Sequence, residues 1–211
     1  MNFLNKMQRK FGRYAIPNLM MHITILNAII YVAAYVLGQS QIINYLVMDP
    51  SLVLKGQVWR ILTFVIVPPA ANILTAALML YFYYFIGRVL ENAWGAFKFN
   101  VYYFAGLLIS AIVSVIFQVP ISGTFLNMSL YFAFAMMYPD MQVLLFFILP
   151  IKIKYLAWLN AAAYLVSLIT GTMSTRIAII GGLANFFLFF GKDMIDKIRL
   201  FIRRIKNKNR Y

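Results

Sequence analysis

The sequence predicts an all-α membrane protein built from six transmembrane helices, with both termini on the cytoplasmic side. Of its 211 residues, 64% are hydrophobic and only 11% are charged, whereas about a quarter of the residues in soluble domains are charged. Several apolar runs approach or exceed the roughly 20 residues that an α-helix needs to cross a bilayer. The net charge of +14 comes from Lys and Arg between and beyond these runs, which indicates membrane orientation rather than nucleic-acid binding.

The apolar runs divide the chain into three parts. Residues 1–17 form a basic cytoplasmic lead-in, residues 18–191 form the six-helix membrane domain, and residues 192–211 form a basic amphipathic tail. Such a tail is expected to lie on an anionic inner leaflet. The predicted spans are 18–38, 61–87, 99–118, 123–138, a fifth ending near 170, and 176–191. The stretch 141–151 is either a re-entrant or interfacial segment or the start of the fifth helix.

The positions of the cations set the predicted orientation. With a cytoplasmic N-terminus, all but three of the 19 Lys and Arg residues fall on the cytoplasmic side; the three are Lys55, Arg60 and Arg176. Cytoplasmic loops of membrane proteins carry such an excess of cations. An even number of spans with both termini inside is therefore expected.

Four motifs occur in an order and at a spacing similar to those of rhomboid proteins. They are GQVWRILTF at 56–64 with Trp59 and Arg60, YFYYFIGRVLENAWGAFKF at 81–99 with Gly87, Glu91 and Gly95, YPDMQVLLFFILPIKIKYLAW at 138–158 with Pro139, and AIIGGLANFF at 178–187 with Gly181 and Gly182. Over about residues 18–190 the chain therefore resembles the rhomboid superfamily, to which the derlins also belong. The resemblance implies a six-helix rhomboid-like bundle.

The positions that rhomboid proteases use for catalysis are occupied by other residues here. An active member has a serine in a Gly-x-Ser-Gly motif on its fourth helix and a histidine on its sixth, which accepts the serine proton. The base position falls on Ile179, and the nucleophile position falls on Thr124, or on Ser129 if the alignment contains a gap. The donors that would stabilise the oxyanion fall on Thr75 and Met79. The resemblance therefore implies a pseudoprotease.

We expect a catalytically inactive protein that binds transmembrane segments of client proteins, in membrane-protein quality control or trafficking. The derlins offer a precedent for such a role in the family. Polar side chains inside a membrane are costly and can hydrogen-bond a client helix. The candidates are Asn72, Asn127, Asn160 and Asn185. The expected partners are the lipid bilayer and client helices, with no nucleic acid, cofactor or metal ion.

Two other functions remain open from the sequence. An active rhomboid serine protease would need Thr124 or Ser129 to be activated by a base other than the single histidine, His22, which lies in the first span. A small-solute transporter or channel would be expected to carry ionisable residues within its spans, and all five acidic residues fall in predicted loops or at span ends.

Composition also leads to an expected location. The chain has no cysteine, its predicted loops are short, and it is rich in Ile, Lys and Asn. We therefore expect a multi-pass protein of the bacterial plasma membrane.

Overall fold

The computed structural model describes residues 2–70, 72–145 and 149–208. Helix α1 (Asn2–Phe11) and a 3-10 turn (Gly12–Tyr14) precede α2 (Leu19–Tyr31), which continues as a π-helical turn over Val32–Val36. The elements that follow are α3 (Gln41–Leu46), α4 (Pro50–Leu54), α5 (Arg60–Thr63), a 3-10 turn (Phe64–Ile66), α6 (Ile73–Trp94), α7 (Ala96–Phe117), α8 (Gly123–Met137), β1 (Gln142–Leu145), β2 (Leu149–Lys152), α9 (Ile153–Thr170) and α10 (Met173–Lys208).

Five helices in the described part of the chain are long and apolar enough to cross a membrane. They cover Leu19–Val36, Ile73–Trp94, Ala96–Phe117, Ile153–Thr170 and Met173–Lys192. The sixth apolar helix, α8, has 15 residues and reaches only about 22 Å, less than the roughly 30 Å of a bilayer core. Nine of those 15 residues are buried, because α8 packs against α6, α7, α9 and α10. The structure confirms a helical membrane protein, with a short helix at its centre.

The helix bundle has two ends, and polar contacts show which segments lie together at one of them. At one end, Asn100 Nδ2 donates to the carbonyl of Ile16 at 3.0 Å, and the backbone N–H of Asn18 donates to Glu91 Oε1 at 2.6 Å. These bonds bring together the start of α2, the end of α6 and the start of α7. We call this the basic end; it includes residues 12–18, 91–100, 137–145 and 149–154. The opposite end, which includes residues 38–70 and 118–122, is called the loop end. The apolar helices alternate in direction between the two ends.

The predicted second span, 61–87, begins twelve residues too early. Its first part forms α5 and a 3-10 turn, the chain is then non-helical around Pro68 and Pro69, and α6 begins at Ile73. Proline lacks a backbone N–H and disfavours a helical conformation in the residue before it. Asn72 then caps α6, because its Oδ1 accepts a hydrogen bond from the N–H of Thr75 at 2.9 Å.

The connection between the second and third spans is far shorter than expected. Helix α6 continues to Trp94, and Gly95 alone separates it from α7. Gly95 has φ +84° and ψ 153°, a conformation that only glycine adopts readily. The charged stretch 88–98, expected as a link between spans, is therefore almost entirely helical.

Residues 142–145 and 149–152 form a two-stranded antiparallel sheet, so the interpretation of 141–151 as the start of the fifth helix is wrong. Strands β1 and β2 pair antiparallel, with Val143 opposite Ile151. Pro150 is tolerated because a two-stranded sheet has only edge strands. The Nζ atoms of Lys154 and Lys152 lie 2.7 and 3.3 Å from Asp140 Oδ1, and these bonds, that of Lys154 first, lower the pKa of the Asp140 carboxyl below its usual value.

Helix α10 runs through the expected boundary between the sixth span and the tail. It has 36 residues, which corresponds to about 54 Å. A bilayer core is roughly 30 Å thick, so the helix is long enough to extend well past the membrane. The predicted span 176–191 and the beginning of the basic tail therefore belong to one helix.

Helices α2 and α6 approach most closely at Gly87. A Cβ atom there would overlap the Cβ and Cγ atoms of Met20, and these atoms lie too near the α2 backbone to move away. We predict that Gly87→Val lowers the free energy of unfolding in detergent by about 1–3 kcal/mol. The matched control is Gly191→Ala on α10, where a Cβ meets no atom within 4 Å; this change should be neutral or stabilising by up to about 1 kcal/mol. Equal destabilisation by the two variants would contradict the packing argument.

Candidate functional site

The Trp59-Arg60 pair holds the first long loop together. The Arg60 side chain is buried, with 2% of its surface exposed. Its Nη1 donates to the carbonyls of Asn44 and Val47 at 2.7 and 2.8 Å, and its Nε donates to Gln57 Oε1 at 2.8 Å. The carbonyls at the end of a helix have no partner within that helix, so Arg60 satisfies acceptors at the end of α3. The motif therefore serves to fix α5 against α3.

Trp59 extends this arrangement towards the surface. Its indole Nε1 donates to the carbonyl of Tyr45 at 3.3 Å, while 48% of the side chain remains exposed. Thr63 adds a bond from its hydroxyl to the carbonyl of Leu46 at 3.0 Å. Three consecutive carbonyls of α3, those of residues 44–46, are thus bound by side chains on or next to α5.

The Gly181-Gly182 pair packs against helices of the same chain. A Cβ at Gly181 would lie 2.7 Å from Val113 Cγ1 on α7, and a Cβ at Gly182 would overlap Phe125 on α8. Glycine permits such close approach because it has no side chain. The pair therefore brings α10 against both α7 and α8 inside the bundle.

The position where the rhomboid resemblance places a catalytic base is apolar and buried. Ile179 lies in α10 with 2% of its surface exposed, one turn before Gly182. Ser129, one of the two nucleophile positions, is fully buried in α8. The Tyr102 hydroxyl lies 3.1 Å from the Ser129 carbonyl and 3.3 Å from its Oγ, and donates to them. Ser129 thus joins α8 to α7.

The other nucleophile position, Thr124, lies in the first turn of α8 at the loop end. Its N–H donates to Ser122 Oγ at 3.2 Å, and the Ser122 hydroxyl donates to Thr124 Oγ1 at 3.1 Å. His22 lies at the basic end, where its Nδ1 is 2.9 Å from the carbonyl of Asn18. Within the described residues, no histidine, lysine or carboxylate bonds the hydroxyl of Thr124 or Ser129.

The two oxyanion positions lie on α6. Thr75 is exposed in the first turn, where its backbone N–H is bound by Asn72. Met79 lies one turn further along and has no hydrogen-bond donor in its side chain. Asn72, one of the four client-binding candidates, is thus an exposed helix cap near these positions.

The other three asparagines lie within the bundle. Asn185 is fully buried, and its Nδ2 donates to the carbonyl of Tyr102 at 2.9 Å. Asn160 Nδ2 donates to the carbonyl of Leu156 one turn earlier at 2.9 Å. Asn127 is buried in α8. In the described part of the chain, the Oδ1 atoms of Asn127 and Asn185 have no hydrogen-bond partner.

Polar side chains from three helices meet along α8. Helix α8 packs against α6 on one side, where Phe82 and Tyr131 have ring centroids 6.1 Å apart, and against α9 on the other, where Phe132 and Tyr164 are 6.3 Å apart. The Tyr131 hydroxyl donates to the carbonyl of Ile153, the first residue of α9, at 3.4 Å. We call this region the polar groove. Its members are Tyr83 of α6, Asn127 and Tyr131 of α8, and Asn160 and Tyr164 of α9.

The sequence indicates the asparagines of the polar groove but not its tyrosines. A tyrosine in an apolar run is most often an interfacial residue, and nothing in the run itself shows which way it points. Only the packing of α6 and α9 around α8 shows that Tyr83, Tyr131 and Tyr164 accompany the asparagines.

A separate cavity of about 180 Å³ lies at the loop end, beside the start of α8. It is lined by Val47, Met48, Phe64, Val67, Pro120, Ile121 and Ser122. This lining is mostly apolar and holds no ionisable group. The described residues also contain no cluster of His, Cys, Asp or Glu that could bind a metal ion.

The apolar helices and the buried polar contacts between them define an integral membrane protein. Residues 18–193 match the family model described as "Eukaryotic integral membrane protein (DUF1751)", and the chain belongs to this family. No curated protein matches the chain.

The family corrects one prediction made from composition. The family is eukaryotic, so the assignment of the chain to a bacterium is wrong. Missing cysteine, short loops and abundant Ile, Lys and Asn describe a compact helical membrane protein with basic flanks, and they do not identify its source.

We predict that Arg60→Lys lowers the free energy of unfolding by about 2–3 kcal/mol. A lysine cannot reach both carbonyls and Gln57 together, and lost hydrogen bonds to a buried charged group have about this cost. Equilibrium unfolding in detergent measures the change. The matched control is Lys55→Met, which removes an exposed cation of the same loop and should shift stability by less than about 0.5 kcal/mol.

We predict that a fluorophosphonate probe does not label the purified protein in nanodiscs. The probe reacts only with an activated hydroxyl, and neither Ser129 nor Thr124 has a described base beside it. An active rhomboid protease in the same nanodiscs serves as the positive control. Labelling that is lost in Ser129→Ala or in Thr124→Ala would overturn the prediction and identify the nucleophile.

Proposed function

We propose that the protein is a rhomboid-like membrane protein without protease activity that binds transmembrane segments of client proteins through the polar groove. The observation that supports this most directly is Asn127 Oδ1, a buried acceptor with no hydrogen-bond partner in the described part of the chain. An unpaired acceptor in an apolar setting costs free energy. A partner helix that supplies a donor removes this cost.

The unpaired atom determines which clients fit. The free atom, Asn127 Oδ1, is a carbonyl oxygen, which only accepts hydrogen bonds. A client segment should therefore carry a donor such as Asn, Gln, Ser or Lys near the middle of its span. Such residues are costly in lipid, so a segment that carries one gains from the groove and an all-apolar segment does not.

We propose that a client helix reaches Asn127 when α9 moves away from α8. Within α9, all of whose residues are described, Ile153 alone is buried, whereas ten of the 22 residues of α7 are buried. Segments with few buried contacts open at the lowest free-energy cost. Displacement of α9 from α8 would open the groove laterally while the packing of α7, α8 and α10 is kept.

The arrangement of the ends supports six spans with both termini in the cytoplasm. Although α8 is short, it alternates in direction with its neighbours, so all six apolar helices run between the basic end and the loop end. Cations concentrate at the basic end, which holds Lys6, Arg9, Lys10, Arg13, Arg88, Lys98, Lys152 and Lys154. The loop end has Lys55, Arg60 and Arg176. By the positive-inside rule, the basic end faces the cytoplasm.

A role in quality control or trafficking follows from the resemblance to derlins and from the proposed client binding. The choice of the plasma membrane depended on the bacterial assignment and loses its support with it. Neither the protease alternative nor the transporter alternative gains support. Ser129 accepts a hydrogen bond from Tyr102. Glu91, the acidic residue within α6, lies in the last turn of that helix and binds the N–H of Asn18.

The test uses two synthetic apolar helices of about 20 residues. One has a central Asn and the other consists entirely of Leu and Ala. Each carries a diazirine crosslinker next to the central position. We predict that the purified protein in nanodiscs crosslinks the Asn helix about fivefold more than the other, since hydrogen bonds between membrane helices contribute about 1 kcal/mol. Asn127→Leu should abolish the preference.

Asn72→Ala provides the matched control, because Asn72 is an exposed helix cap outside the groove, and this variant should keep the preference. Equal crosslinking of the two helices by the unmodified protein would overturn the proposal. A preference that survives in Asn127→Leu would overturn the assignment of the groove as the binding site.

A further inference from the structure

Helix α1 and the 3-10 turn after it carry four cations. Lys6, Arg9 and Lys10 of α1 are spaced by three and four residues, the spacing that places side chains on the same side of a helix, and Arg13 follows in the 3-10 turn. All four side chains are exposed. They form what we call the α1 basic face.

The charge of this face is not balanced by the acidic groups that the structure describes. The ion pairs among described residues are those of Asp140 with Lys152 and Lys154. Glu91 is buried and directs Oε1 to the backbone N–H of Asn18. The α1 basic face is therefore open to an anionic partner from outside the described chain.

Contacts with the bundle hold α1 close to the membrane surface. The carbonyl of Ile16 is bound by Asn100 of α7, and α2 begins its span at Leu19. Helix α1 itself packs against α7, whose first turn holds a further cation, Lys98. The four cations thus lie just before a span, where the headgroups of the adjoining leaflet are.

Aromatic residues accompany the cations in the way expected at a lipid headgroup layer. Lys10 Nζ lies 5.4 Å from the ring centroid of Phe11, and Arg13 Cζ lies 4.8 Å from that of Tyr14. Phe11 and Tyr14 are 42% and 66% exposed. Tyrosine and the long stems of Lys and Arg favour this layer because each joins an apolar body to a polar end.

We propose that the α1 basic face binds the anionic headgroups of the membrane in which the protein is embedded, so that α1 lies along the surface of the leaflet. Anionic lipids attract juxtamembrane cations, and this attraction falls off within a Debye length. Because α2 crosses the membrane directly after α1, the α1 basic face stays at the membrane surface permanently. This favours a lipid partner over a soluble anion, which would have to be recruited from solution.

Hydrogen exchange of the α1 amides tests the proposal without any client. The protein is placed in nanodiscs of phosphatidylcholine alone, or with about 30% phosphatidylserine, a typical anionic lipid. We expect exchange in α1 to be about tenfold slower or more with phosphatidylserine, and we expect high salt to weaken this protection. Replacing all four cations by Gln (Lys6→Gln, Arg9→Gln, Lys10→Gln, Arg13→Gln) should remove it.

Two further variants guard against a general effect on folding. Lys152→Gln with Lys154→Gln removes two cations of the same end that are already paired with Asp140, and this variant should keep the protection. Lys6→Arg with Lys10→Arg preserves the charge and should keep it too. Equal exchange in the two lipid mixtures, or protection that persists in the fourfold variant, would overturn the proposal. Equal protection by a soluble acidic peptide in phosphatidylcholine nanodiscs would overturn the choice of lipid as the partner.

Discussion

In a lipid environment the hydrophobic effect does not hold one apolar helix against another, so this bundle depends on close backbone approach at glycine. Gly87 admits Met20 of α2, Gly106 admits Leu126 and Asn185, and Gly182 admits Phe125. Each contact lets a neighbouring side chain rest on a backbone, where dispersion contacts are dense and a short hydrogen bond comes within reach. The bonds from Asn185 to Tyr102 and from Asn18 to Glu91 follow from these approaches.

The same constraint gives the polar residues of the bundle a structural role. Buried polar atoms need partners where no water is available. Tyr102 meets this need twice, since its hydroxyl donates to Ser129 while its carbonyl accepts from Asn185. By accepting this bond, Ser129 connects α7 and α8. Arg60 has the corresponding role in the loop, where one guanidinium satisfies several carbonyls.

Features that depend on residues close together in the sequence could be predicted, whereas features that depend on packing between distant segments could not. Long apolar runs and charge asymmetry are local signals, and they predicted the helical membrane class. The start of α6 was missed because the apolar run continues through Pro68-Pro69, and the two-stranded sheet was missed because its apolar residues have no strand alternation that separates them from a helix. In the candidate site, Asn127 and Asn160 were selected for their polarity. Their tyrosine neighbours could not be predicted, because that pairing depends on how α6 and α9 rotate around α8.

The length of α10 has a mechanical consequence. About 16 residues continue beyond Lys192, where its apolar span ends, and at 1.5 Å per residue they extend the helix by about 24 Å. An unbroken helix transmits motion as a lever. Gly181 and Gly182 hold its other half between α7 and α8, and the far end of α10 lies about 39 Å from them. A tilt of about 10° at the glycine pair therefore moves that end by about 7 Å. A change in packing deep in the membrane is thereby communicated to the aqueous compartment at the basic end.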